Sequence, residues 1–358
     1  MPRDTKPFRL FILPKKYEVS VDGQRSLRWL LLSVTGWGAG LAAGILLTLG
    51  KTGWPTLALL AWLAVASLAH IALFQRRFWL TALGVLVSAA LVVGSLAGYW
   101  VLGRPLDLLQ RGEAARAAGA DGKAIELYTA ALSQRPLWSD ALLGRAQAYA
   151  HQGNLDRAIA DLDQVLRLEP AHALAFLKRG NAWADKGQAD RAISDYSQAI
   201  LAQPTYADAW NNRGIIYDDR GDYDRAIVDY SQAIRLNPTD SDLYNNRAVA
   251  YRGKKDYAQA LADYSEAIRL NPTKAATYNN RGDTYTLLRD YDHALADFNR
   301  AIELRPDYTL AYYNRGIAHK QRGDRDRAIS DFKKVVELNS DAYWSQQASA
   351  ELEQLGGQ

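Results

Sequence analysis

RAIADLDQVLRLEP from Arg157, RAISDYSQAILAQP from Arg191, RAIVDYSQAIRLNP from Arg225, QALADYSEAIRLNP from Gln259 and HALADFNRAIELRP from His293 start 34 residues apart every time. A fixed period of this length marks a stacked array, in which one supersecondary unit recurs and each copy covers the apolar face of the next. Extending the frame in both directions gives seven units with no insertion or deletion, at 105–138, 139–172, 173–206, 207–240, 241–274, 275–308 and 309–342.

Each unit is expected to fold as two helices. The first carries a large residue at position 4 (Leu142, Phe176, Trp210, Tyr244, Tyr278, Tyr312), a small one at position 8 (Gly112, Ala146, Gly180, Gly214, Ala248, Gly282, Gly316) and usually an aromatic at position 11, a spacing that falls on one helical face. A turn such as Gly221-Asp222 follows, and alanine occupies position 20 in every unit, from Ala124 to Ala328. Small residues at 8 and 20 let the paired helices touch while bulky neighbours fill the space around them. Proline at position 32 closes units one to six, from Pro136 to Pro306, because its ring cannot continue a helix. Unit seven has Ser340 there.

Positions 4, 8, 11, 20, 24, 27 and 32 resemble the tetratricopeptide-repeat (TPR) family over residues 105–342. Unit one departs most, with Leu108 and Ala115 where the family favours aromatics. The resemblance implies a right-handed solenoid of seven hairpins that binds protein or peptide partners in a groove lined by the first helices. Residues 343–358 resemble the terminal helix of such arrays, with Trp344, Ala348, Leu352 and Leu355 as its apolar stripe. The last hairpin needs that cover.

Charge is distributed unevenly. Residues 1–104 carry 11 Lys/Arg against 3 Asp/Glu, while residues 105–358 carry 32 against 36. The basic excess therefore belongs to the N-terminal third. An acidic solenoid lacks the concentrated positive surface that nucleic acid requires, so no nucleic-acid partner is expected. The chain has no cysteine, and its five histidines stand without metal-ligand spacing. No phosphate loop, metal cluster or activated nucleophile is evident, so neither a cofactor nor a catalytic role is expected.

Three charge-free runs separate Arg28, Lys51, Arg76-Arg77 and Arg104, and each is long enough to span a bilayer. Transmembrane helices are expected near 29–50, 55–74 and 78–102, within a membrane region at 27–102 that follows a basic arm at 1–26. The whole chain is then all-α, with three transmembrane helices, the solenoid and the cap. Nine of the flanking basic residues fall on the N-terminal side of the membrane under an N-in arrangement, and four on the other side. By the positive-inside rule the N-terminus is cytoplasmic and the repeats are extracytoplasmic, periplasmic or lumenal. Gly36, Gly40 and Gly44 on the first span and Ala90, Gly94 and Gly98 on the third recur at four-residue spacing, as helix-packing seams do. Such a seam serves either this bundle or another membrane subunit.

Position 7 is arginine in all units and position 23 is aspartate in six, from Asp161 to Asp331. An internal ladder of ion pairs is expected. On the opposite side of the first helix, positions 2, 6, 9 and 13, with 5 and 12 on the shoulder, should line the groove. Position 5 reads Asn211, Asn245, Asn279 and Tyr313, and position 6 reads Asn212, Asn246, Asn280 and Asn314. A carboxamide both donates and accepts, so such a row can satisfy an extended peptide backbone. The row resembles the asparagine ladder in the repeats of a sugar-transferring enzyme family. It is less like a clamp for acidic tails, since Lys178, Arg252 and Lys320 do not cluster. The other reading, that these side chains are merely solvated, stays open at this point. The functions expected are a membrane-anchored interaction scaffold or assembly factor, or an accessory subunit packed through its spans against a larger membrane enzyme or bioenergetic complex.

Overall fold

The computed structural model describes residues 86–94, 98, 103–338 and 341–356. From Arg104 fifteen helices follow one another: α1 (Arg104–Ala117), α2 (Asp121–Gln134), α3 (Ser139–His151), α4 (Leu155–Leu168), α5 (Ala173–Asp185), α6 (Ala189–Ala202), α7 (Ala207–Asp219), α8 (Tyr223–Leu236), α9 (Ser241–Gly253), α10 (Tyr257–Leu270), α11 (Ala275–Leu287), α12 (Tyr291–Leu304), α13 (Thr309–Arg322), α14 (Arg325–Leu338) and α15 (Ala342–Gln354). Odd helices up to α13 are the first helices of the repeats and even ones are the second. Both recur in the register that the 34-residue period demands.

The packing rests on small residues meeting rings. Ala124, Ala158, Ala192, Ala226, Ala260, Ala294 and Ala328, at position 20, are all fully buried. A Cβ added to Gly180 would lie 2.6 Å from the Tyr196 ring, and one on Gly214 would lie 2.9 Å from Tyr230. Glycine at position 8 is therefore the space that the aromatic at position 24 occupies. The turn between helices needs a left-handed residue, supplied by Gly153, Gly187 and Gly221 at φ between 70° and 76°. Units five and six place Lys255 (φ 65°) and Arg289 (φ 60°) there instead. Asp222, Asp256 and Asp290 then cap the second helix by accepting from the backbone N–H three residues on.

Positions 4, 8 and 11 pack as expected: Leu142, Ala146, Ala248 and Tyr217 are buried, and Phe176, Trp183, Trp210, Tyr244, Tyr278 and Tyr312 lie half-buried against the core. Beside them, position 3 (Ala141, Ala175, Ala209, Ala311) and position 10 (Ala148, Ala182, Ala250, Thr284, Ala318) are also driven to 0–2% exposure. A first helix inside the array has a partner in its own hairpin and neighbours on both sides, so its buried arc is wider than one hairpin requires. The first helices of successive units touch one another, and among the described residues the second helices do not do so to the same degree. The face of the first helices is accordingly the inner, concave one.

α15 closes the array. Its Ala348 is buried against Phe332 and Val335, with Trp344, Leu352 and Leu355 around them, and the Arg325 guanidinium donates to the Leu355 carbonyl. The expected spans lie outside the described residues apart from 86–94 and 98. Residues 86–94 are helical and belong to a separate unit, with Leu86, Val87, Leu91 and Val93 more than half exposed. Among the described residues no helix is long and apolar enough to cross a membrane. Gly36, Gly40 and Gly44 lie outside the described residues. Ala90, Gly94 and Gly98 are exposed, and a Cβ on either glycine would meet nothing within 4 Å.

Candidate functional site

Two polar ladders run along the first helices. In the first, Arg145, Arg179, Arg213, Arg247, Arg281 and Arg315 each hold the aspartate 16 residues ahead in a two-bond fork of 2.6–2.9 Å. The six carboxylates are 3–7% exposed. The third arm of each guanidinium reaches back to the preceding repeat, where Thr129, Asp163, Ser197, Ser231, Ser265 and Asn299 accept it. Every arginine thus ties its own hairpin together and fastens it to the one before. Aromatics flank the fork, with the Arg213 guanidinium 5.0 Å from the Trp210 ring and 5.9 Å from Tyr217. The hydrogen bonds to Asp229 hold Arg213 even more firmly charged than usual, against the opposing effect of burial. This bears out a structural ladder at positions 7 and 23.

The second ladder is made of carboxamides. Asn314 donates to Asn279 (3.0 Å), Asn279 to Asn280 (3.5 Å), Asn280 to Asn245 (3.3 Å), Asn245 to Asn246 (3.5 Å), Asn246 to Asn211 (3.1 Å), Asn211 to Asn212 (3.2 Å) and Asn212 to Asn181 (2.9 Å). Asn181 also accepts from the Tyr196 hydroxyl at 3.0 Å. The relay joins five hairpins, units three to seven, without a break. Position 6 of one repeat donates to position 5 of the repeat before it, which donates onward within its own turn. Asn279 is 2% exposed and the other members are half-buried. These side chains bridge neighbouring repeats and are therefore not merely solvated. Each carboxamide has two N–H donors and two acceptor lone pairs, so on the half-buried members in the middle of the row one of each remains for a partner, while those of Asn279 are buried.

Tyr313 holds the position-5 place in unit seven and has left the row. Its ring packs against Trp344 at 4.9 Å and Phe332 at 5.7 Å. Asn181, at position 9 of unit three, was not foreseen as a member; only the hydrogen-bond pattern reveals it. The charged groups of this face are also organised. Arg252 donates to Asp283 of the next repeat, and Lys320 reaches Glu351 (2.5 Å) and Gln354 (3.0 Å) of the cap. Burial pushes the carboxyls of Asp218 and Asp283 above the usual aspartate range, opposed in each case by Arg252. Among the described residues no group of metal-binding side chains is close enough to hold an ion.

Solved structures of low identity share the fold. A tetratricopeptide repeat protein from Parabacteroides merdae is 19% identical with a TM-score of 0.56, over 68% of this chain and 97% of that one. The C-terminal part of a TPR repeat-containing protein from Cytophaga hutchinsonii is 18% identical with a TM-score of 0.54, over 66% of this chain and 98% of that one. PilF of Pseudomonas aeruginosa is 21% identical with a TM-score of 0.51, over 60% and 97% of the two chains. No curated protein matches the sequence. Family models described as tetratricopeptide repeat match residues 207–240, 241–274, 275–308 and 309–341, and in paired form 109–173 and 143–209. With its helices, its glycine–ring contacts and its cap in the same register, the chain belongs to the tetratricopeptide-repeat family.

Proposed function

We propose that this chain is a membrane-anchored scaffold that captures extended segments of protein partners along its asparagine row. The observation that carries the reading is the relay itself. It fixes carboxamides of five successive repeats along the inner face, its half-buried interior members keeping a donor and an acceptor, and an extended backbone presents the complementary groups at intervals along its length. The fold is generally a non-catalytic one, which agrees with a binding role. Anchoring is supported by the three charge-free runs before Arg104 and by the exposed Leu86, Val87, Leu91 and Val93. The excess of basic residues around those runs favours a cytoplasmic N-terminus and repeats on the other side.

The test is partner affinity in single substitutions of the full chain. Asn246→Ala should weaken capture of a partner purified with the wild-type chain, while Val228→Ser, on the exposed side of α8, should not. Equal affinities for the two variants would refute the groove. The accessory-subunit reading is favoured by one observation, the exposed small residues Ala90, Gly94 and Gly98. It predicts instead that Gly94→Leu abolishes co-purification in mild detergent and that Asn246→Ala has no effect.

A further inference from the structure

Beneath the middle of the asparagine row lies a group of polar side chains that the two ladders do not use. Tyr264 of α10 is fully buried, and its hydroxyl lies beside that of Thr284. The polar side chains around it are Arg252, Asp283, Thr284 and Asp218. The Thr284 hydroxyl donates to the Asn280 carbonyl at 2.9 Å, and Arg252 is engaged with Asp283. Asp218 sits at the same repeat position as Arg252 one unit earlier, and its Oδ1 is buried without a partner. Asp219 follows it at the exposed end of α7. Two carboxylates, Asp218 and Asp283, thus lie near the Arg252 guanidinium, and Asp219 adds a third negative charge beside Asp218.

An unpartnered carboxylate oxygen in a half-buried place is costly unless a donor reaches it. Burial together with the neighbouring Asp219 charge disfavours the ionised form of Asp218, and a cation arriving from the groove would reverse that. The same surplus of negative charge repels an acidic segment.

We propose that the groove selects partners carrying a lysine or arginine within the extended segment, and that Asp218 is the residue receiving its cation between the fourth and fifth repeats, with Asp219 and Asp283 contributing charge. This rests on the groove reading above, since the asparagine row would hold the backbone whose side chain enters the pocket. Lys178 and Lys320 stand on this face in units three and seven, and Lys320 is held by Glu351, so the acidic stretch is confined to the centre. The occupant is an extended basic peptide, in contrast to the acidic tails that a row of lysines and arginines would recognise.

The experiment pans a random linear-peptide phage library against the purified full chain and measures selected peptides by fluorescence anisotropy. Selected peptides should share a lysine or arginine at one position. Changing that residue to glutamine should weaken binding at least about tenfold, and Asp218→Asn should do the same with an unchanged far-ultraviolet circular dichroism spectrum. The peptide substitution tests the idea even if the protein variant folds poorly. Selected peptides without a shared basic residue, or peptides that bind Asp218→Asn as tightly as wild type, would overturn it. Asn246→Ala separates the two proposals. Basic peptides that weaken with Asp218→Asn and not with Asn246→Ala leave the acidic pocket standing and remove the asparagine groove. Peptides that weaken only with Asn246→Ala do the opposite, and a library that yields no binder counts against both.

Discussion

Asp229→Ala isolates what one rung of the charged ladder contributes. The wild-type carboxylate is 3% exposed and accepts two bonds from Arg213, at 2.8 Å and 2.9 Å. Removing one partner of a buried pair costs about 3–5 kcal/mol, because the other charge is left desolvated. Here the Arg213 side chain is 17% exposed, keeps Ser197 at 2.9 Å and lies over Trp210, so part of its solvation survives. The loss should sit at the low end, about 3 kcal/mol. The double variant Arg213→Met/Asp229→Leu strands no charge and should recover most of that loss. Asp190→Ala breaks an exposed pair with Arg220, in which the two side chains are 89% and 41% exposed, and should change nothing measurable. The assay is urea denaturation of the full chain followed by far-ultraviolet circular dichroism, fitted with a nearest-neighbour model because repeat arrays need not unfold in one step. A loss below about 1 kcal/mol for Asp229→Ala, or a double variant worse than the single, would refute the reasoning.

Three further outcomes follow from the same packing. Arg289 adopts φ 60° where other repeats use glycine, so Arg289→Gly should stabilise the chain by about 1 kcal/mol in the same denaturation experiment, and no gain would show that the turn is not strained. Gly180→Val pushes a side chain into the Tyr196 ring, 2.6 Å from where its Cβ would be, and should cost about 1–3 kcal/mol; an unchanged midpoint would contradict the close approach. Burial lowers the pKa of His319 below its ordinary value of 6.5, with Asp324 opposing. The unfolded chain then binds the proton more readily, so this residue's contribution is complete above pH of about 6.5 and declines as pH falls below that. His319→Gln should flatten the fall in thermal midpoint between neutral and mildly acidic pH, and an identical pH profile in the variant would exclude the histidine as its source.

Much of this architecture can be read from the sequence, for identifiable reasons. The 34-residue period, alanine at position 20 and the paired arginine and aspartate are repeated so often that accident is excluded, and each has one physical meaning. The reach of each arginine to position 25 of the previous repeat was not legible, because it joins side chains that approach only once the hairpins are stacked. The same limit explains the asparagines. A helical wheel places Asn246 and Asn280 away from their own hairpin, but it cannot show that the neighbouring repeat supplies Asn211 and Asn245 as acceptors. Tyr313 looked like the next member of the row until the cap drew its ring against Trp344. The expected membrane spans lie outside the described residues apart from 86–94 and 98, so their reading still rests on charge-free length and on basic flanks.

Site-specific photo-crosslinking addresses the central claim most directly. A photoreactive amino acid is placed in the full chain at either position 246, on the asparagine row, or position 228, where Val228 is 58% exposed on the second-helix side. Irradiation with the purified partner should give a crosslinked product from position 246 and none from position 228. A product from position 228 alone, or equal yields from both, would contradict capture along the inner face.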